Sequence, residues 1–211
     1  MHEREQWTLK IVVMSSGGVD SSVMMLLLRE FGHTISPLHI NYGQLAEERE
    51  WRASRQVCQH IGLDEPRRLD LSGFREIPSG LTNPDLDIVE HAFLPGRNML
   101  FILAGAAYAY STSADAIAIG LISNPIFPDQ TVEFVKSAQQ CLNAALGIKI
   151  KLLTPLIGLD KRDTLNLARK YNLPLELTYF CHSGKEKPCG RCISCKERIA
   201  AEATGSLRSR D

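Results

Sequence analysis

Apolar and polar positions along the chain alternate between two rhythms. Residues 9–14 (LKIVVM) form a short, continuous, β-branched run, as a strand buried on both faces requires. Residues 21–32 then repeat their apolar positions at helical spacing and stop at Gly32. The same exchange recurs. A strand is expected over 34–43, an amphipathic helix over 45–62 closed by Gly62, and a strand over 67–72. A strongly apolar helix over 98–113, expected to be buried on most sides, precedes a strand over 114–121. A loop with two prolines spans 124–130, then come a helix over 132–146, a strand over 148–156 and a helix over 161–173. A last short helix follows in the tail. Strands alternating with helices predict an α/β fold built on a doubly wound parallel sheet. Between Gly73 and Pro95 the rhythm breaks at Pro78, Gly80, Pro84 and Pro95. A connection that long reads as a lid or a mobile flap.

No repeat, low-complexity tract or composition shift divides the chain, so residues 1–211 read as a single domain. Within it, 178–203 form a metal-stapled C-terminal extension too small to bury a core unaided. A formal net charge of zero argues against a protein devoted to gripping nucleic-acid phosphates, and so against stable nucleic-acid binding. No apolar run reaches the length of a membrane span, and the first ten residues lack the apolar core of a signal peptide. A cytoplasmic location is therefore expected.

The most informative turn is SSGGVDSS, where the first strand feeds the first helix. The carboxyl end of a strand in an open α/β sheet is where ligands bind. Gly17 and Gly18 are expected to adopt positive φ and let the backbone approach a ligand. A helix starting near Asp20 aims its free N–H groups and positive dipole end at the turn, and four serine hydroxyls add donors. Such a place suits phosphate. Neither the Walker A lysine nor the Rossmann G-x-G-x-x-G is present. The form S-G-G-x-D-S resembles the pyrophosphate-binding loop of the PP-loop ATP pyrophosphatases. That resemblance implies ATP contacts from Ser15, Ser16, Gly17, Gly18, Val19, Asp20, Ser21 and Ser22. It also places Mg²⁺ beside Asp20, since a carboxylate next to polyphosphate otherwise repels it.

Six cysteines divide into two kinds. Cys58 and Cys141 stand alone and read as small buried hydrophobes. Cys181, Cys189, Cys192 and Cys195, in C-x7-C-x2-C-x2-C spacing with Gly190 in the knuckle, read as a metal site. Four thiolates suit tetrahedral Zn²⁺ with no open position, a structural role. Spacing alone leaves an iron–sulfur cluster open. His182 is a weaker alternative ligand, because neighbouring side chains diverge. Arg191, Lys196 and Arg198 read as solvated charges.

Further motifs narrow the resemblance: YGQ (42–44), PGRN (95–98), FPD (127–129), TPL (154–156) before a helix beginning at Lys161, and the closing cysteine knuckle. In this order and length the chain is similar to the 7-cyano-7-deazaguanine synthase family. The resemblance implies a homodimer with one structural zinc. It also implies an ATP-dependent carbon–nitrogen ligase that turns 7-carboxy-7-deazaguanine and ammonia into the nitrile, with ATP used twice. Arg97 and Lys161, with Asp20, become the catalytic candidates, as contacts to phosphate or carboxylate. Asn98 lies near the nucleotide, while Tyr42, Gln44, Phe127 and Asp129 contact the substrate. Phe127 would stack on the deazapurine and Asp129 would accept from its guanine-like N–H edge. Blander roles stay open: Arg97 as a loop clamp, Asn98 as a helix cap, Lys161 as a surface charge.

The chain departs from the family at two places. The family commonly reads YPDCR where this chain has FPDQT, so Gln130 and Thr131 replace a thiol and a positive charge. Leu45 and Ala46 stand where a basic pair commonly follows YGQ. The ATP half of the site keeps the pattern and the substrate half is altered. Three alternatives follow: a paralogue that adenylates a deazapurine acid and delivers it to another amine, such as one on a protein, as relatives in antiviral operons make plausible; a PP-loop tRNA-modifying enzyme; and a non-catalytic nucleotide sensor.

Overall fold

The computed structural model of the protein describes residues 8–205. Five strands, β1 (Lys10–Met14), β2 (Thr34–Asn41), β3 (Arg67–Asp70), β4 (Ala116–Ala118) and β5 (Lys151–Leu153), pair in parallel in the order β3-β2-β1-β4-β5. The six α-helices among the described residues are α1 (Val19–Glu30), α2 (Glu47–His60), α3 (Arg97–Ser111), α4 (Val132–Leu146), α5 (Lys161–Lys170) and α6 (Ile193–Gly205). None of them is long and apolar enough to cross a membrane.

β1 is the central strand, and its sequence shows why. Its side chains alternate between two cores. Ile11 and Val13 pack with Val23 and Met24 of α1 and Leu165 of α5. Val12 and Met14 pack with Ile102 and Ala106 of α3 and Leu142 of α4. A strand covered on both faces has no polar position to spare, which is the continuous apolar run of the sequence. Strand order reverses at β1, with β2 on one side and β4 on the other, so the chain opens a crevice above the carboxyl ends of β1 and β4.

Several expectations need correction. The strand expected over 148–156 is only three residues long. Gln139 of α4 takes over its outer edge: Leu152 N donates to Gln139 Oε1 at 2.6 Å and Gln139 Nε2 donates to Ile150 O at 2.9 Å. A side chain thus satisfies edge groups that would otherwise be open for pairing. α3 is buried along one face only, since Leu103 and Tyr110 are exposed. Cys58 is buried as expected, but Cys141 is exposed on α4. The segment after β3 is no loose flap. Ser79, Leu81 and Leu94 are buried. Gly80 N donates to His91 O, Leu45 N donates to Leu81 O, and Asp87 pairs with Arg191 of the tail. Short polar side chains close its turns, as where Asp87 accepts from Val89 N at 2.7 Å. The first seven residues, read above for a signal peptide, lie outside the described part.

Candidate functional site

The β1–α1 turn sits at the reversal point. Ser15 continues the ladder by donating its N–H to Leu38 O at 2.8 Å. Its hydroxyl lies 2.6 Å from that of Ser54, which ties the turn to α2. Gly17 has φ +75°, as expected, but Gly18 does not. Gly18 is the residue preceding α1, with φ −80° and ψ 163°, the extended geometry that a helix start requires. Ser22 is fully buried and donates to Gly18 O at 2.8 Å, so it braces the turn from behind. Ser16 and Ser21, 3.1 Å apart through their hydroxyls, line the cleft with Ser15, Gly18, Val19 and Asp20. The first N–H groups of α1 have no intrahelical acceptors and are available to an anion.

This cleft has a volume of about 270 Å³. α5 delivers Lys161 to it. Asp160 caps the helix by accepting from Asp163 N at 2.8 Å, and the Asp163 carboxylate in turn accepts from Asp160 N, a capping box that sets the first turn. Lys161 then pairs with Asp20, with Glu197 of α6 at 3.9 Å. Thr164 donates to the other Asp20 oxygen at 3.0 Å. Lys161 is therefore a cleft residue and not a surface charge. Burial pushes the Glu197 carboxyl above its usual range; Lys161 opposes this and Asp20 adds to it.

Arg97 opens α3 behind left-handed Gly96. Its guanidinium lies 6.0 Å from the Tyr42 ring centroid and 5.8 Å from that of Phe101. It forms no ion pair with a carboxylate among the described residues. Burial holds the Tyr42 hydroxyl up at about 12, against the opposing pull of Arg97. Phe127 faces the cleft, its ring 5.0 Å from that of Phe93.

Of the other candidates, Asn98 reaches the cleft while Asp129 and Gln44 sit one layer back. Asn98 is buried and lines the cleft, and its amide donates to Asp129 O at 3.0 Å. The Asp129 carboxylate accepts from Asn98 N at 3.3 Å and does not line the cleft. Gln44 is also behind the wall: it accepts from Tyr42 N and donates to Glu50 Oε2, both at 2.9 Å. Gln130 and Thr131, the departures from the family pattern, have structural work. Gln130 Oε1 accepts from Ile126 N and Phe127 N, and Thr131 caps α4 by accepting from Phe134 N at 3.1 Å.

The tail supplies the remaining wall. The Sγ atoms of Cys181, Cys189, Cys192 and Cys195 lie within 4.8 Å of one another. Cys189 and Cys195 are 3.9 Å apart, close to the ~3.8 Å edge of a tetrahedron with ~2.3 Å Zn–S bonds. The four thiols fit a single ion, and a multi-iron cluster would hold them further apart. Burial alone would raise the Cys189 thiol, but backbone N–H groups of Arg191 and Cys192 and the neighbouring thiols bring it down to about 6. The knuckle packs against the β1–α1 turn: Tyr179 N donates to Gly17 O at 2.9 Å. The backbone at Gly184 presses on Leu45 and Ala46, so that a methyl group there would stand 2.0 Å from Leu45 O. Arg198 is not solvated; it lies 5.2 Å over the Phe180 ring and pairs with Glu202 at 2.5 Å.

Sequence reasoning missed Glu50 and Glu197, and weighed His182 only as a weaker alternative metal ligand. His182 is no part of the thiol cluster. Its Nε2 is 2.9 Å from Ser194 Oγ, and its buried Nδ1 has no hydrogen-bond partner among the described residues. Burial, with Arg97 and Lys161 nearby, drives its pKa down to about 4, so the ring is neutral. Burial raises Glu50 to about 7 against the Gln44 hydrogen bond and Arg97. Only the fold brings these residues together, and no local motif marks them.

Comparison with known proteins agrees with this arrangement. The family described as "Queuosine biosynthesis protein QueC" matches residues 10–204. The 7-cyano-7-deazaguanine synthase of Nautilia profundicola is 32% identical over 95% of this chain and 96% of its own length. That of Methanosphaerula palustris is 34% identical over 92% and 95%. Among solved structures, the NMN synthetase of Francisella tularensis superposes with a TM-score of 0.55 at 14% identity, covering 97% of this chain and 87% of that one, which is a likeness of fold. With a PP-loop fold, the S-G-G-x-D-S turn and the closing thiol cluster, the chain belongs to the QueC family of queuosine biosynthesis proteins.

Proposed function

We propose that this protein is an ATP-dependent ligase that adenylates 7-carboxy-7-deazaguanine and, with ammonia, carries it to 7-cyano-7-deazaguanine. One observation carries the reading: the phosphate turn, the Lys161–Asp20 pair, the unpaired Arg97 and the exposed face of Phe127 all border one cleft. The ring of Phe127 offers a stacking surface for a deazapurine. Arg97, with no carboxylate of its own, is suited to hold the carboxylate of the acid. The α1 N–H groups and Lys161 are suited to polyphosphate. Asp20 is the residue that would hold Mg²⁺, whose charge offsets the phosphates, and the four thiols would hold Zn²⁺ as a structural ion.

In the proposed sequence a carboxylate oxygen of the acid attacks the α-phosphate and the bond to pyrophosphate breaks. Ammonia then adds to the acyl carbon and AMP leaves, giving the amide after loss of a proton. The amide oxygen then attacks the α-phosphate of a second ATP and displaces pyrophosphate; it departs as AMP while the nitrogen gives up its two remaining protons, leaving the nitrile. His182 and Ser194 form part of one wall of the cleft. A second reading, transfer of the activated acid to an amine on a protein, is favoured by the rim: Ile126 is 51% exposed and Phe93 38% exposed beside Phe127. Incubation with the acid, ATP, Mg²⁺ and ammonia, followed by mass spectrometry, tests both. Free nitrile supports the first. An accumulated adenylate or amide, with a deazapurine mass appearing on protein when a cell extract is added, supports the second. No adenylate at all overturns the substrate class.

A further inference from the structure

The residue expected to read the guanine-like edge, Asp129, is committed elsewhere by its contact with Asn98 N. A different carboxyl lines the cleft: Glu50, in the first turns of α2. Its place is fixed from two sides. A methyl group on Gly17 would stand 2.5 Å from the Glu50 carbonyl oxygen, so this turn of α2 lies directly beneath the phosphate turn. Its side-chain Oε2 accepts from Gln44 Nε2 at 2.9 Å, while Gln44 is itself held by Tyr42 N and Ile40 O. Oε1 makes no hydrogen bond among the described residues. The groups facing it are Tyr42 from the turn after β2, Arg97 from α3, Tyr179 from the tail and Glu47 from its own helix. Arg97, the one cation of this group, makes no ion pair with it among the described residues.

A half-buried carboxyl beside a guanidinium that has no carboxylate partner among the described residues offers acceptors next to donors. A guanine-like base carrying an acid at its 7-position shows the complementary pattern along one edge: two adjacent N–H donors, then the 6-oxo group and the carboxylate. We infer that Glu50 reads the base, its carboxylate accepting the ring N–H and the exocyclic amine while Arg97 takes the oxygens beside them. A carboxylate has about four acceptor sites, so the bond from Gln44 leaves room for both. This assignment rests on the deazapurine-acid reading and deepens it. Burial that lifts Glu50 to about 7 is consistent with a carboxyl completed by its ligand, because N–H donors favour the charged form.

Glu50→Gln separates reading from support. It keeps an oxygen that can accept from Gln44, and replaces an acceptor of the base with an amide that donates. Pyrophosphate release is measured with 7-carboxy-7-deazaguanine and with the analogue lacking the exocyclic amine. Wild type is expected to prefer the full acid. The variant is expected to raise KM for it about 10–100-fold, leave KM for ATP unchanged and lose the preference. In wild type, KM for the acid should fall as pH rises through about 7, where the free carboxyl ionises, and the variant should lose that dependence. An unchanged KM and preference in Glu50→Gln overturns the assignment while leaving the substrate class standing. Failure of wild type to adenylate the acid overturns the substrate class, and this inference with it. Should the variant not fold, equal kcat/KM of wild type for the acid with and without its amine overturns the assignment.

Discussion

Gly17 and Gly18 are adjacent and chemically identical, yet the geometry assigns them different penalties for a methyl group. At Gly17 an alanine must hold φ near +75°, the left-handed region that costs an L-residue ~1–2 kcal/mol. Its Cβ would also stand 2.5 Å from Glu50 O, 2.7 Å from Ser54 N and 2.8 Å from Ala53 Cβ. Two of those atoms are helix backbone and cannot rotate aside, so α2 or the turn must shift, an overpacking cost of ~1–3 kcal/mol. The total is ~2–5 kcal/mol, against a stability of ~5–15 kcal/mol typical of a domain. At Gly18 φ is −80° and the nearest contact is the rotatable Ser16 hydroxyl at 3.3 Å, so the loss is ~0.5 kcal/mol. Gly18 does line the cleft, and its methyl group would face the nucleotide. Gly96 isolates the conformational part: φ is +76° with open space around it, so alanine there costs only ~1–2 kcal/mol. Urea unfolding of the three variants, with ATP affinity measured alongside, should rank stability loss as Gly17 above Gly96 above Gly18. Gly18→Ala should lose ATP affinity with its fold intact. A Gly17→Ala protein as stable as Gly18→Ala would refute the packing argument.

Asp20→Ala removes the partner of both Lys161 and Thr164 and should abolish acid-dependent pyrophosphate release while the far-ultraviolet circular dichroism stays unchanged; normal turnover would make Asp20 a structural residue. Elemental analysis of purified protein should find one zinc per chain, and Cys192→Ser should lose the metal and lower Tm; iron, or no metal in wild type, would sink the structural-zinc proposal. His39 is buried between Ser15 O, which it bonds at 2.9 Å, and the Trp51 ring, and burial lowers its pKa from 6.5 to about 4. The unfolded chain takes up this proton first, so the stability is complete above 6.5 and falls as pH drops from there towards 4, by ~3 kcal/mol at most. Urea midpoints between pH 7 and pH 4.5 should show this decline in wild type and a flatter one in His39→Gln; equal slopes would refute it.

Much of the fold was legible because β1 is continuously apolar from Ile11 to Met14 and the helices repeat their apolar positions. The limits have particular causes. Two glycines in S-G-G have equal prior claim to positive φ, but the start of α1 demands extended backbone at the second. The segment between β3 and α3 looked loose because prolines and glycines break its rhythm, while its order comes from Asp and Ser side chains closing turns and from buried Leu81 and Leu94. The phosphate turn, Lys161 and Arg97 were readable from motifs and do border one cleft. Asp129 and Gln44 belong to equally visible motifs, yet support the wall from behind. The places of Glu50 and His182 at the cleft were not readable, because α2 packing beneath Gly17, and the tail folding back over it, bring them there.

That fold-back gives the molecule a built-in order of completion. The floor of the phosphate turn is made by α2, early in the chain, and its roof by the backbone at Tyr179, after the last strand has been made. A ribosome releases N-terminal segments first, at ~5–20 residues per second. All five strands can therefore emerge and pair seconds before the cleft has its last wall. A product terminated just before Tyr179 would keep the whole sheet yet lack Lys161's neighbour Glu197, His182 and every thiol of the cluster. Such a fragment would keep Asp20, Lys161 and Arg97, but in a cleft left open on the side that Tyr179, His182 and Glu197 line in the full chain.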